Sequence, residues 1–314
     1  MKIAFLFPGQ GAQKVGMGKD LFDKYPVARA VFEEADRALG FSISDMCFNG
    51  PEEDLKLTCN TQPALLTVSV AALAVLEELG VKPYCAAGHS LGEYGALVAG
   101  KVLSFADAVK TVRARGEFMQ EAVPAGEGAM AAIIGLDRDK IIEICAKITG
   151  EIGLVQAVNF NMPGQIVIAG ITAAVKQACE ELKAAGARRA LILPVSAPFH
   201  SLLMKPAAEK LEKVLAGVSF SDSLVPIVSN VDAQAATNAA TLKAKLVHQV
   251  ASPVLWEDSV ARISSLGVDF VIEVGAGPLS GFMKKMTPHI TALGIEDEAS
   301  ILKMVETLKE VKCD

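Results

Sequence analysis

The chain has 314 residues, 51% of them hydrophobic, and a formal net charge of −6 at pH 7. A chain of this length and apolar content buries a sizeable core, which excludes a disordered protein and suits one large domain or two smaller ones. Since phosphate binding needs a clustered basic surface and none stands out, the composition also argues against nucleic acid as a partner.

No targeting segment or cofactor motif stands out along the chain. The first apolar run, residues 3–7, ends at Pro8-Gly9 and is too short for a signal peptide, and we expect no later apolar run to reach membrane-spanning length. The six cysteines lack C-x-x-C or zinc-like spacing, and the early glycines match no P-loop or dinucleotide fingerprint. The sequence therefore predicts a cytoplasmic protein without a metal site, a disulfide or a nucleotide cofactor.

The first predicted elements alternate between strands and helices. A buried strand spans residues 3–7, a uniformly apolar and therefore internal helix starts at 61–63 and runs through 64–76, and a strand at 84–87 leads into a helix at 93–99. Further buried strands are expected at 225–228 and 270–274. This alternation predicts a mostly parallel sheet with helices on both faces.

One stretch breaks the alternation. Its predicted order is strand 129–134, helix 137–148, strand 154–159, strand 165–169, helix 172–185 and strand 189–195. This β-α-β-β-α-β order is ferredoxin-like, and turn-forming residues flank it. We predict an α/β protein with a large domain formed by residues 1–126 and 197–314, an inserted small domain at 127–196, and a ligand cleft between them.

The motif Gly88-His89-Ser90-Leu91-Gly92 joins a predicted strand to a predicted helix. In that context it is typical of a nucleophile elbow, in which glycines remove the Cβ atoms that would clash beside an exposed serine; the alternative is a simple tight turn. The backbone N–H after the serine would lie at a helix N-terminus, where it stabilises an oxyanion.

A serine nucleophile needs a base, and the chain has four histidines. His89 adjoins Ser90, so its side chain leaves the turn in another direction, while His248 and His289 fit surface positions. His200 follows a predicted strand on a loop, where catalytic groups of α/β sheets gather, and is the best candidate; the alternative is a hydrogen-bonded loop histidine. No aspartate is indicated as a third member, so a carbonyl is an alternative partner for the base.

Arg115 is the only charged residue in the apolar arc of the helix predicted at 105–123, drawn at about 100° per residue. A buried arginine stays ionised and demands an anionic partner. One interpretation is a salt bridge with an internal carboxylate, or snorkelling from the edge of the arc. The other is a fork that holds a substrate carboxylate by two parallel hydrogen bonds.

Together these motifs carry a resemblance that extends through nearly the whole chain. The chain resembles the malonyl-CoA:acyl carrier protein transacylases of bacterial fatty acid synthesis, on segments 7–13, 61–65, 88–94, 115–121, 128–135, 158–161, 163–165 and 194–200. The resemblance implies an α/β-hydrolase-like fold with a ferredoxin-like insert, malonyl-CoA as the donor, acyl carrier protein as the acceptor and no cofactor.

The resemblance also implies roles for individual residues. Ser90 would be acylated with His200 as its base, and Arg115 would bind the malonyl carboxylate. The backbone N–H groups of Gln10 and Leu91 would form the oxyanion hole. Asn161 would approach the substrate from the small domain, and the main-chain carbonyl of Gln249 would orient His200.

Four further residues have two interpretations each. Met119 and Phe199 would crowd out a methyl branch on the acyl group, or are simply core residues. Arg188 and Arg189 would begin a docking patch for an acidic carrier protein, or are solvated surface.

Competing functions also remain open. A serine thioesterase or hydrolase with the same elbow passes the acyl group to water, a polyketide-type acyltransferase serves another carrier, and an idle scaffold is never acylated.

Overall fold

A computed structural model describes residues 1–195 and 197–313, with side chains through residue 310. The strands are β1 Ile3–Phe7, β2 Cys85–Gly88, β3 Gly128–Ile134, β4 Val155–Met162, β5 Gln165–Ile171, β6 Arg189–Ile192, β7 Ile227–Val228, β8 Ala235–Ala236, β9 Phe270–Val274 and β10 Thr291–Ile295. The helices are α1 Lys19–Lys24, α2 Pro26–Leu39, α3 Ile43–Asn49, α4 Glu52–Leu55, α5 Thr58–Glu78, α6 Gly92–Ala99, α7 Phe105–Glu121, α8 Arg138–Glu151, α9 Thr172–Ala184, α10 Lys205–Ala216, α11 Ala239–Gln249, α12 Trp256–Ser265, α13 Leu279–Met286 and α14 Glu298–Cys313, with a 3₁₀ helix at Leu202–Met204.

The larger sheet has the strand order β10-β9-β1-β2-β7-β8, with parallel pairing everywhere except between β7 and β8. Side chains of β1 alternate between two apolar layers. Phe5 and Phe7 belong to one apolar core together with residues of α5 and α7, whereas Ala4 and Leu6 belong to a second core together with residues of α12 and α13. The mostly parallel sheet covered on both faces is confirmed, and β8 and β10 are additional edge strands that the sequence analysis did not predict.

The smaller sheet has the order β4-β5-β3-β6 and is antiparallel throughout, with α8 and α9 packed on it around a core of its own. This is the predicted ferredoxin-like arrangement. Strand β6 ends at Ile192 rather than at residue 195. Leu193 still donates a hydrogen bond to Met130, but Pro194 has no N–H with which to continue the pairing. Ser196, the last residue of the predicted insert, lies outside the described residues, and the domain boundaries remain a prediction.

Helix α5 begins three residues before the predicted start and includes Pro63 in its interior. Proline has no N–H to donate to the carbonyl of Cys59, and the guanidinium of Arg113 donates to that carbonyl instead at 3.0 Å. At 21 residues and a hydropathy of 1.5, α5 is apolar enough to cross a membrane, so the expectation that no apolar run reaches that length was wrong. Within the most apolar 18-residue stretch of this helix, 94% is buried inside the protein, as the predicted internal position requires.

Candidate active site

Ser90 lies on a sharp turn between the end of β2 and the start of α6, with a positive φ of 53°. A Cβ on Gly88 would lie 2.0 Å from the backbone of Gly92, and one on Gly92 would lie 2.1 Å from the carbonyl oxygen of Phe7. Only glycine permits this approach of strand, turn and helix. The local geometry is therefore that of the predicted elbow.

The hydroxyl of Ser90 contacts both predicted partners. It is 2.7 Å from Nε2 of His200 and accepts a hydrogen bond from Nη2 of Arg115 at 3.0 Å. The three side chains line one cavity, as the sequence interpretation required. Four further predicted site residues line it as well: Gln10, Leu91, Met119 and Phe199.

His200 is held by a backbone carbonyl rather than by a carboxylate. Its Nδ1 lies 2.9 Å from the carbonyl oxygen of Gln249, so that nitrogen donates and Nε2 is left to accept the proton of Ser90. Burial, together with the positive charge of Arg115, lowers the pKa of His200 to about 3. The imidazole is therefore neutral near pH 7, which is the form that a general base needs.

Arg115 is 1% exposed, and its partners are neutral. Its Nη1 donates to Oε1 of Gln62 at 2.6 Å, and its Nη2 donates to Oε1 of Gln249 at 2.9 Å as well as to Ser90. Within the described part of the chain no carboxylate forms a salt bridge with it, and its Nε has no hydrogen-bond partner. The internal salt bridge offered as an alternative is thus not formed, and the guanidinium faces the cavity with donor capacity for an external anion.

Gln10 and Leu91 line the same cavity as Ser90. Among the residues that the structure describes, neither of their backbone N–H groups donates to a protein acceptor. Leu91 directly precedes α6, so its N–H also lies at the positive end of the helix dipole. Two free donors beside a nucleophile are what an oxyanion hole requires.

Asn161 contacts His89, which is one of the residues that line the cavity. Its Oδ1 lies 2.9 Å from Nε2 of the half-buried His89, and Asn161 itself does not line the cavity. Asn159 lines it instead, with a buried Oδ1 that has no partner in the described structure. Strand β4 shifts register between 157 and 159 and again between 160 and 162, so simple alternation does not predict which asparagine faces the ligand.

Sequence reasoning missed three buried polar residues around this cavity: Gln62, Glu93 and Asn230. Gln62 lies in the apolar α5 and Glu93 in the buried α6, so a polar residue within an apolar helix is a signal that would have found both. Asn230 carries no such signal, because it lies in a loop after β7.

The other predicted residues lie away from the reacting groups. Arg188 and Arg189 are exposed at the start of β6, and the chain then leads through Leu193 and Val195 along the cavity wall. The strand thus connects an exposed basic surface to the cavity.

Comparison with known proteins gives a consistent set of similarities. Residues 4–306 match the acyl transferase domain family. The chain is 52% identical over 310 residues to the malonyl CoA-acyl carrier protein transacylase of Bacillus subtilis, covering 98% of each chain. It is 48% identical over 307 residues to the enzyme of the same name from Escherichia coli K12, covering 97% of this chain and 99% of that one.

Solved structures agree with these relatives. The malonyl CoA-acyl carrier protein transacylase of Clostridium perfringens superposes with a TM-score of 0.96 at 43% identity, covering 100% of this chain and 99% of that one. A malonyl transacylase solved in complex with its type II polyketide acyl carrier protein matches with a TM-score of 0.94 at 45% identity. The match covers 98% of this chain and 100% of that one.

Proposed function

Since this chain belongs to the acyl transferase domain family, we propose that it moves a malonyl group from malonyl-CoA to the phosphopantetheine thiol of an acyl carrier protein, through an ester on Ser90. The product supplies extender units for fatty acid synthesis. The observation that carries this assignment is the double contact of the Ser90 hydroxyl, which lies within hydrogen-bond distance of both a neutral imidazole and a buried guanidinium.

In the first half-reaction, Oγ of Ser90 attacks the thioester carbonyl while its proton passes to Nε2 of His200. The oxyanion is held by the N–H groups of Gln10 and Leu91. The carbon–sulfur bond then breaks, and His200 returns the proton to the sulfur as CoA leaves. A malonyl ester of Ser90 remains.

The second half-reaction runs the same chemistry in reverse. The phosphopantetheine thiol gives its proton to His200 and attacks the ester carbonyl, and the proton returns to Oγ of Ser90 as the new thioester forms. All reacting groups come from the chain and its two substrates, so the scheme needs no metal or organic cofactor. Ping-pong kinetics are expected.

Arg115 gives the reaction its preference for a dicarboxylic acyl group. One N–H of Nη1 and the Nε–H are uncommitted, and the hydrogen bond to Ser90 is free to pass to a carboxylate oxygen. An acetyl group leaves this buried charge without an anion, and sites built for a polar group reject analogues that lack it. Met119 and Phe199, which line the same cavity, would restrict branching beside the carboxylate.

We place the carrier protein at the exposed start of β6. Carrier proteins of this class are acidic, and Arg188 and Arg189 offer two positive charges at the end of the strand that leads to the cavity wall. We also propose that this carrier serves fatty acid synthesis rather than polyketide synthesis, and that the protein is cytoplasmic.

The test follows radioactive malonyl-CoA through the reaction. We expect one labelled serine per chain, located at Ser90 by mass spectrometry, and complete transfer of the label to a holo carrier protein. Ser90→Ala is expected to abolish labelling, while Ser265→Ala, on the exposed surface, keeps it. Release of free malonate in place of malonyl carrier would identify a hydrolase, and an unlabelled wild-type chain would leave only the scaffold.

A further inference from the structure

Two buried carboxamides hold the two peptide groups that flank Ser90. The N–H of Ser90 donates to Oδ1 of Asn230 at 2.7 Å, and Nδ2 of Asn230 donates to the carbonyl of Gly88 at 2.7 Å. On the other side, Nε2 of Gln249 donates to the carbonyl oxygen of Ser90 at 2.9 Å. The peptide before Ser90 sets its φ and the peptide after it sets its ψ, so one carboxamide constrains each torsion.

A single buried carboxylate anchors both amide residues. Oε2 of Glu93, 1% exposed, accepts from the backbone N–H of Asn230 at 3.0 Å and from Nε2 of Gln249 at 2.8 Å. An acceptor at that position forces the nitrogen of the Gln249 side chain toward Ser90 and its oxygen toward Arg115. Glu93 therefore fixes the orientation of an amide that contacts two of the groups assigned to the chemistry.

This arrangement answers a physical need of the elbow. Ser90 has a φ of 53°, in the left-handed region that a residue with a Cβ seldom adopts without support from its surroundings. If either peptide rotated, Oγ of Ser90 and the N–H of Leu91 would turn away from the cavity together, since both are attached to the same short segment.

We propose that Asn230, with Gln249 and anchored by Glu93, is a positioning unit for the nucleophile and the oxyanion hole. None of these three residues lines the cavity in the described structure, so the unit acts by holding both backbone torsions of Ser90, and attack and oxyanion binding then occur in one geometry. The inference rests on the proposed acyl transfer, whose rate is the quantity that the unit controls.

The test measures acylation of Ser90 by radioactive malonyl-CoA in rapid-quench experiments, which give a rate constant and a labelled fraction separately. Asn230→Leu removes both side-chain hydrogen bonds and is expected to lower the rate constant by about 100-fold, the size of effect seen when an oxyanion donor is lost. Asn230→Asp keeps the acceptor for Ser90 but not the donor to Gly88, so a smaller decrease is expected. In both variants the labelled fraction should still approach one per chain.

Asn238→Ala is the matched control. Asn238 caps α11, the helix that carries Gln249, by accepting from the N–H of Thr241 at 3.0 Å, so its loss destabilises the same region without touching the elbow. We expect a lower unfolding midpoint and an unchanged acylation rate constant.

Two results would overturn the inference. One is a rate constant indistinguishable from wild type in both Asn230 variants. The other is a reduced labelled fraction whose remaining molecules react at the wild-type rate, which is the signature of a merely structural role. A wild-type chain that is never labelled would instead refute the proposed function, and the inference with it; Asn230→Asp keeps the test open should Asn230→Leu fail to fold.

Discussion

Replacing Arg115 with methionine should lower kcat/KM for malonyl-CoA much more than kcat/KM for acetyl-CoA. Methionine keeps much of the volume of the buried side chain but removes its charge and its hydrogen bonds to Gln62, Ser90 and Gln249. A malonyl carboxylate would then be buried without a partner, which costs about 3 to 5 kcal/mol. That penalty corresponds to a loss of about 10²- to 10⁴-fold in kcat/KM for malonyl-CoA.

Acetyl-CoA has no carboxylate and should be affected far less. Its transfer loses only the hydrogen bond from the charged Arg115 to Ser90, worth about 1.5 to 3 kcal/mol, which is about 10- to 10²-fold. The assay compares kcat/KM for both thioesters in the wild type, Arg115→Met, and Lys110→Met on the exposed face of the same helix as a control. Equal losses for both substrates would refute the assignment of Arg115 to the carboxylate.

Three further predictions concern the base, the elbow and the carrier. Because burial and Arg115 lower the pKa of His200 to about 3, the base stays neutral as the pH falls. The value of kcat/KM for malonyl-CoA should therefore remain level between about pH 8 and pH 5. A profile that falls to half of its maximum near pH 6.5, the ordinary histidine pKa, would contradict this. Gly88→Ala should abolish labelling of Ser90 and lower the free energy of unfolding, measured in urea, by about 1 to 3 kcal/mol, since the new Cβ overlaps the backbone of Gly92. The control Gly150→Ala lies in open space on α8 and should raise the free energy of unfolding by about 0.5 to 1 kcal/mol. Similar values for the two variants would argue against the close approach of Gly88 to Gly92. Replacing Arg188 and Arg189 with glutamate should raise KM for the carrier without altering hydrolysis of malonyl-CoA alone, while Lys303→Glu on α14 should change neither; an unaltered carrier KM would remove this docking surface.

Much of the fold follows from local sequence patterns. The limits of strands β1 and β9 match the prediction to the residue, because a continuous apolar run ends at Pro8-Gly9 and a mostly apolar run, interrupted by Glu273, ends at Gly275. The order of the inserted βαββαβ unit was also readable, since each element is short and separated by turn formers. The start of α5 was not, because the carbonyl that Pro63 leaves free is bonded by Arg113 from another helix.

The candidate site divides in the same way. Ser90, Arg115 and His200 were identified from residue type and local context: a glycine-flanked serine between strand and helix, a lone charge on an apolar face, and a histidine after a strand. That they meet depends on contacts 25 and 110 residues apart in sequence, which no local pattern encodes.

The sequence by itself determined which reactive groups the protein carries, because such groups are recognised by residue type and by the turn or helix that presents them. Only the tertiary structure decided how those groups are supported. The bulges of β4 turned Asn159 rather than Asn161 toward the cavity. The packing of α6, α11 and the loop after β7 brought Glu93, Gln249 and Asn230 around Ser90, because a strained backbone and a buried charge are held only by partners that arrive from distant parts of the chain.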